Sequence, residues 1–402
     1  MQLSVDIYAT LALAAAALIV GHLLTRRIAF LARYSIPDAV VGGMLFALVV
    51  TLLRGAGDVR VEFDPALLTP LNVMFFTTVG LSADARALAK GGRLLLLFFV
   101  VVAGALLMQN AIGVAMAKAF DLHPAIGLMA GSITLSGGHG TAAAWGTKFL
   151  EERNLQGVVE LGIAAATYGL VVGGLLGGPF AEWLMRRHAI RGTGETKSTT
   201  GEPGAASATP APLALITLVA TLLLIFVSMA IGFALYDAIG QGALTLPSFI
   251  WTLLVGVVLR NLLSLTGLYQ VDDRALEVIG ALALSLFLAM IIMTLKLWEL
   301  VDLAGPILAI LLVQTIALLA YVSFVTFRAM GRDYDAVLLS TGHLGFAMGS
   351  TATAMVNVQA VADRHGHSPL AFLLIPVMGA FLIDIANALT IQGFLALPWF
   401  TW

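Results

Sequence analysis

Two stretches of this chain hold too much glycine for ordinary helix interiors and too many apolar residues for surface loops. They are Ser132-Ile-Thr-Leu-Ser-Gly-Gly-His-Gly-Thr-Ala-Ala-Ala-Trp145 and Thr341-Gly-His-Leu-Gly-Phe-Ala-Met-Gly-Ser-Thr-Ala-Thr-Ala354. Gly140-Thr141 and Ser350-Thr351 stand 210 residues apart in a chain of 402, so each half carries one copy. The chain is 60% hydrophobic and 11% charged, with a mean hydropathy of +0.98. Soluble domains run near about 25% charged, so this sequence has no polar shell for a large soluble core and belongs in a bilayer. There, broken backbone survives only inside protein or beside a water-filled cavity. Paired interruptions at matching positions of two halves point to a binding site near the midplane.

The same composition excludes other classes. A net charge of −2 offers no basic surface to nucleic acid. With 0 cysteines, disulfides and thiolate metal sites are ruled out. No Gly-x-x-x-x-Gly-Lys-Ser/Thr loop is present to cradle ATP. Arg26, Arg27 and Arg33 follow the first apolar run and no basic residue precedes it, which predicts an uncleaved first span with its N-terminus outside.

Apolar stretches of about 17–25 residues read as spans. They lie near residues 5–25, 38–53, 67–83, 94–117 and 158–185, then 213–236, 246–265, 277–297, 303–328 and 369–397. The broken segments, about 124–149 and 336–362, each follow the fourth span of their half. The expected fold is therefore an all-α polytopic membrane protein, an inverted repeat of two five-span halves, each with a re-entrant hairpin. Residues 1–185 form the first repeat and 213–402 the second. Residues 186–212, rich in Gly, Ser, Thr and Pro, form a flexible cytoplasmic linker. Charge placement supports this topology: fifteen of the 21 Lys and Arg fall inside and six outside, with both termini outside. Weak internal matches agree. Gln109 aligns with Gln314 and Ile36-Pro37 with Leu246-Pro247, at offsets near that of the broken segments.

Glycine lets backbone N–H and C=O groups approach a ligand. A helix beginning at Thr141 or Thr351 would aim its free N–H groups at the tip and bind a carboxylate. The candidate substrate-binding residues are Ser136, Gly137, Gly138, His139, Gly140, Thr141, Gly349, Ser350, Thr351 and Thr353. Unwound carbonyls facing the other way suit sodium, a hard ion that prefers oxygen. The competing reading is a small-residue packing face, which the mirrored placement disfavours.

Ser136-Gly-Gly-His-Gly-Thr141, Thr341-Gly-His-Leu-Gly-Phe346, Lys296-Leu-Trp-Glu-Leu300, Ser285-Leu-Phe-Leu-Ala-Met290 and Val377-Met-Gly-Ala-Phe-Leu-Ile-Asp384 closely resemble the bacterial sodium/glutamate symporters. The match covers nearly the whole chain outside the linker. The resemblance implies sodium-coupled uptake of glutamate across the inner membrane, a homodimer, and two re-entrant hairpins on a mobile transport domain. Ala142 and Ala352 depart from that family's usual glycine and proline.

Other polar residues in the spans are candidates for the coupling sodium. Asp384 stands among apolar neighbours, and an unpaired aspartate at mid-bilayer costs about 2.5–3.5 kcal/mol, so it should face protein or a cation. Asn387 follows on the same helical face. Gln109, Asn110, Ser136 and Thr351 complete the sodium candidates, with helix-to-helix hydrogen bonding as the competing role for the two amides. Glu160 sits near the start of the fifth span. His139 and His343 read as loop-fixing residues rather than proton relays. Lys148, Lys296 and Arg260 are the cations that a second substrate carboxylate could meet. A di- or tricarboxylate or hydroxycarboxylate carrier is the alternative within transport. An intramembrane enzyme using Ser136 and His139 is disfavoured, because it leaves the second segment without a purpose.

Overall fold

Asp6 opens the first helix by accepting the Ala9 N–H at 2.9 Å, and Arg26 and Arg27 close it, where the carbonyl end of the dipole favours cations. The computed structural model describes residues 2–33, 36–57, 60–192, 213–239, 247–296 and 304–398. The first half carries β1 (Gln2–Val5), α1 (Ile7–Arg27), α2 (Ala29–Arg33), α3 (Asp38–Gly57), β2 (Arg60–Phe63), α4 (Leu68–Leu81), α5 (Ala85–Ala119), α6 (Pro124–Leu128), α7 (Gly138–Arg153) and α8 (Val158–His188). The second half carries α9 (Leu215–Ile239), α10 (Ser248–Thr266), α11 (Asp273–Met293), α12 (Ala304–Tyr321), α13 (Phe327–Ala329), α14 (Tyr334–Phe346), α15 (Thr351–His365), α16 (Pro369–Val377) and α17 (Ile383–Leu395). Among the described residues, eight helices are long and apolar enough to cross a membrane. Two expected spans fall outside that count. α4 has 14 residues, and the last is divided into α16, a π turn over Met378–Leu382, and α17. Large apolar side chains such as Leu215, Ile216, Leu265 and Ile316 face outward, as lipid contact requires.

The structure amends three expectations. The fold is almost entirely helical, as expected, with one addition: β1 and β2 pair in parallel, Gln2 opposite Arg60 and Val5 opposite Phe63. The antiparallel pair α1 and α3 delivers these ends to one face. The fourth span begins earlier than its apolar run, because a charged turn from Ala85 leads into it and a break at Gly92 (φ 55°, ψ −151°) divides the two parts. The fifth span runs to His188, so the linker loses its first residues to α8; 193–212 of that linker lie outside the described residues.

The helices sort into two bodies, each drawing on both halves of the chain. In the first, α1, α3, α4, α9, α10 and α11 pack together. α1 and α3 meet so closely that a Cβ on Gly42 would lie 1.8 Å from the Ala17 carbonyl oxygen, so only glycine fits there. In the second, α8 packs against α7, α14 and α15, while α5 packs against α6, α12 and α17. Close backbone approaches between the bodies are few, chiefly where α11 meets α7 and α4 meets the π turn before α17, while apolar side chains such as Trp145 and Phe249 pack across the seam. The turn before Gly92 stays with the first body: Ala85 N–H donates to Asn261 Oδ1 at 2.8 Å and Arg86 donates to the Ser264 carbonyl.

Candidate functional site

Each broken segment folds as two helical arms joined by a tight turn. In the first, Pro124 takes the opening position of α6 and His123 Nδ1 accepts the Ala125 N–H at 3.1 Å. A π turn over Met129–Ile133 follows, with Gly131 off the helical path (φ −107°, ψ −133°). The chain turns at Ser136 and Gly137, and α7 starts at Gly138, three residues before the expected Thr141. Gly138 has φ +67°, a conformation that side chains disfavour. In the second segment Asp333 caps α14, accepting the Ala336 N–H at 2.8 Å. Thr341–Phe346 proves helical rather than unwound, and the Thr341 hydroxyl folds back onto the Val337 carbonyl at 2.8 Å, a bond compatible with a helix interior. The chain turns over Ala347–Gly349, and α15 begins at Thr351 as expected. Ser350 caps it, with the Thr353 N–H donating to Ser350 Oγ at 3.2 Å. The tips meet: a Cβ built on Gly138 would lie 3.4 Å from the Gly349 carbonyl oxygen.

A cavity of about 400 Å³ opens at these tips, on the seam between the two bodies. Ser136, Gly137, Gly138, His139, Gly140 and Thr141 line it, as do Gly349, Ser350, Thr351, Gly379 and Asp384. The first body supplies Phe75, Phe76, Leu284, Ser285 and Leu288 as the opposite wall. Thr353 lies just behind, 3.2 Å from Ser350 Oγ through its hydroxyl. Asp384 has no hydrogen-bond or ion-pair partner among the described residues, although it faces the cavity.

Among the described residues no lysine or arginine lines this cavity. Arg260 is tied to Asp273 at 2.7 Å and Asp84 at 3.5 Å. Lys148 pairs with Glu152 at 3.4 Å and approaches the Trp145 ring, beside a different crevice. The Lys296 N–H donates to Glu160 Oε1 at 2.7 Å, which joins the start of α8 to the segment after α11. An anion in the cavity is therefore left with amide hydrogens and hydroxyls.

The sodium candidates on α5 and α17 sit behind the tips and hold them. Gln109 accepts the Ser136 hydroxyl at 2.7 Å and donates to the Ala347 carbonyl at 2.9 Å, bridging both turns. Gln314 donates to the Gln109 carbonyl at 2.6 Å. Asn110 Oδ1 accepts the Ser132 N–H at 3.1 Å, and Asn387 Nδ2 donates to the Ser132 carbonyl at 3.0 Å. Thr351 donates to the Gly379 carbonyl, tying the second tip to the π turn. His139 Nε2 lies 3.0 Å from Thr167 Oγ1, and His343 Nδ1 lies 3.0 Å from Thr326 Oγ1, the loop-fixing arrangement. Sequence reasoning missed Phe75, Phe76 and Leu284 as cavity wall. Ser285 had a signal in its family-like motif, whereas nothing local marks the other three.

Comparison with known proteins decides the family. The model of the family described as sodium/glutamate symporter matches residues 3–367. The sodium/glutamate symporter of Escherichia coli (strain K12) is 45% identical over 399 residues, 98% of each chain. That of Haemophilus influenzae is 43% identical over 391 residues, 96% of each chain. The chain belongs to the sodium/glutamate symporter family. This symporter-family chain carries both tips within the matched region. The alignment to the Escherichia coli relative covers 98% of this chain, so it extends past residue 367 into the last span.

Proposed function

We propose that the protein is a sodium-coupled symporter that imports L-glutamate across the bacterial inner membrane by alternating access. The observation that carries this reading is the seam cavity, where two helix N-termini and one unpartnered carboxylate converge without a cationic side chain. Free N–H groups at the starts of α7 and α15 take the substrate's carboxylates, helped by the hydroxyl of Ser350, while the Ser136 hydroxyl stays committed to Gln109. Asp384 supplies the negative charge for a cation in the cavity, either sodium or the substrate's amino group. The two tips act as re-entrant hairpins of an inverted repeat, on a body that moves against the other in an elevator step. The scarcity of close backbone approaches between the bodies supports that motion. The linker lies in the cytoplasm, and two copies form a dimer.

The test is uptake of labelled glutamate into liposomes that hold only this protein, under an imposed inward sodium gradient. Glutamate accumulates, with competition by unlabelled glutamate and weak competition by citrate or malate. Uptake that citrate or malate displaces better than glutamate assigns the protein to di- and tricarboxylate transport instead. Accumulation that persists with potassium or choline in place of sodium removes the coupling.

A further inference from the structure

Behind the first tip, three fully enclosed polar side chains meet around one peptide group and leave some of their atoms without partners. The peptide is that of Ser132. Its N–H donates to Asn110 Oδ1 at 3.1 Å, and its carbonyl accepts Asn387 Nδ2 at 3.0 Å. Ser132 and Asn110 are 0% exposed and Asn387 is 1% exposed. With those bonds made, Ser132 Oγ, Asn387 Oδ1 and Asn110 Nδ2 still have no hydrogen-bond partner among the described residues. A buried polar atom left unpaired is costly, and one retained in a native protein marks strain, a functional role, or a bound water or ion. Two of the three are oxygens, and the backbone beside them has left the helical path at Gly131, inside a π turn. A π turn and a kink of this kind take carbonyls out of the regular helical ladder.

We infer that Ser132 Oγ and Asn387 Oδ1 form a sodium site of their own, outside the cavity and behind the first hairpin tip. This rests on the sodium-coupled reading above. Neither ligand carries a formal charge, and Asp384 stands one helical turn before Asn387 on α17. A monovalent hard cation fits that set, whereas a divalent ion favours several carboxylates. The site also has a direct line to the tip. The Ser132 carbonyl accepts the N–H of Ser136 at 3.2 Å and of Gly137 at 3.0 Å, the two residues of the turn. An ion that fixes the Ser132 peptide against Asn387 fixes that turn, and with it the N–H groups that face the cavity. Sodium bound here prepares the carboxylate site without touching the substrate.

The experiment measures the sodium dependence of thermal stability for the purified protein without glutamate, with choline chloride holding the ionic strength. The parent, Ser132→Ala and Asn387→Ala are compared, and each is then titrated with glutamate at saturating sodium. In both variants the sodium concentration giving half of the stabilisation rises at least tenfold, while in Ser132→Ala, which keeps the Asn387 Nδ2 bond to the Ser132 carbonyl, glutamate affinity at saturating sodium stays within about threefold of the parent. Ser132→Ala removes a single oxygen, so it reports even where Asn387→Ala folds poorly. A sodium midpoint within twofold of the parent in Ser132→Ala overturns the inference and leaves the node to a structural water. No sodium response in the parent without glutamate overturns it as well. Uptake by the parent under a sodium gradient, measured in parallel, separates either result from failure of the symport reading itself.

Discussion

Replacing Gln109 with alanine tests how the two tips are held in register. Gln109 is 0% exposed, and its side chain bonds to both turns, to the Ser136 hydroxyl at 2.7 Å and the Ala347 carbonyl at 2.9 Å. Truncation leaves both groups without that partner, and each orphaned buried group costs about 1–3 kcal/mol. Ser136 lines the cavity, where water can reach its hydroxyl, so its share lies at the low end. The sum is about 2–4 kcal/mol. Because both tips contribute to the binding surface, most of this falls on the binding-competent geometry. At about 1.4 kcal/mol per tenfold, glutamate binding weakens by about thirtyfold or more. The assay is calorimetric titration of the purified protein with glutamate at saturating sodium, with thermal unfolding to confirm a folded state. Gln314→Ala is the control: it removes a donor to the Gln109 carbonyl but touches neither tip, so it lowers stability and changes affinity less. A double-mutant cycle of Gln109→Ala with Ser136→Ala gives a coupling of about 1 kcal/mol. A folded Gln109→Ala protein that binds glutamate within twofold of the parent refutes the bracing argument.

Further outcomes follow from the same geometry. Asp384→Asn removes the cavity's unpartnered carboxylate, so sodium-driven uptake falls by at least tenfold in liposomes while the protein stays folded; uptake with unchanged sodium dependence would remove Asp384 from the site. Gly92→Ala meets no atom within 4 Å but must adopt φ 55° and ψ −151°, a strain of about 1–3 kcal/mol at the joint between the bodies; turnover slows while glutamate affinity holds, as paired uptake and binding measurements would register. The chain has no cysteine, so pairs can be introduced singly. A Gly43→Cys, Ile292→Cys bridge joins α3 to α11 within one body and leaves transport intact. A Gly140→Cys, Leu284→Cys bridge crosses the seam and stops it. His123 has its pKa lowered from 6.5, by burial first and by Arg153 second. The unfolded chain therefore takes up a proton near pH 6.5 that the folded protein refuses, so this contribution to stability is present above about pH 6.5 and is lost as pH falls below it. His123→Asn, which keeps a capping acceptor, flattens that part of the thermal-midpoint profile.

The turns at Ser136-Gly137 and Ala347–Gly349 were legible in sequence because hydrocarbon forbids unpaired backbone, so glycine clusters in apolar runs had to mark protected breaks. Their limits were less so. Thr341–Phe346 looks like a loop by composition, yet Gly342 packs against Ile375 and the Thr341 hydroxyl satisfies a carbonyl within its own helix. Gly138 starts α7 early because its positive φ makes the turn there, a conformation that the letter glycine permits but does not announce. The opposite wall of the cavity was out of reach for a different reason. Phe75 and Leu284 lie on helices that are apolar all round, so periodicity names no inner face. Only the sorting of helices into two bodies brings them to the seam. The same sorting removes Lys148 and Arg260 from the site, since their partners are distant in sequence or belong to other surfaces.

The distribution of polar groups across the seam bears on which motion carries a substrate through the membrane. Nearly every group able to hold an anion or cation in the cavity belongs to one body: the turn residues of both hairpins, Gly379 and Asp384. The facing wall is mostly aromatic and aliphatic, with Phe75, Phe76, Leu284 and Leu288, and a Cβ on Gly140 would lie 3.1 Å from Leu284 Cδ1. Suppose instead that the ligand's partners were split between bodies. Each slide would then break charge-assisted hydrogen bonds worth about 1.5–3 kcal/mol apiece, and the bound state would resist movement. With the partners on one side, those bonds travel with the substrate, and the apolar wall has only to exclude water as the tips pass. Ser285 is a polar exception in that wall, and Asp38 is already engaged by His22 and Thr25. This asymmetry supports a carrier body that translates with its cargo over a rocking pair that opens around it.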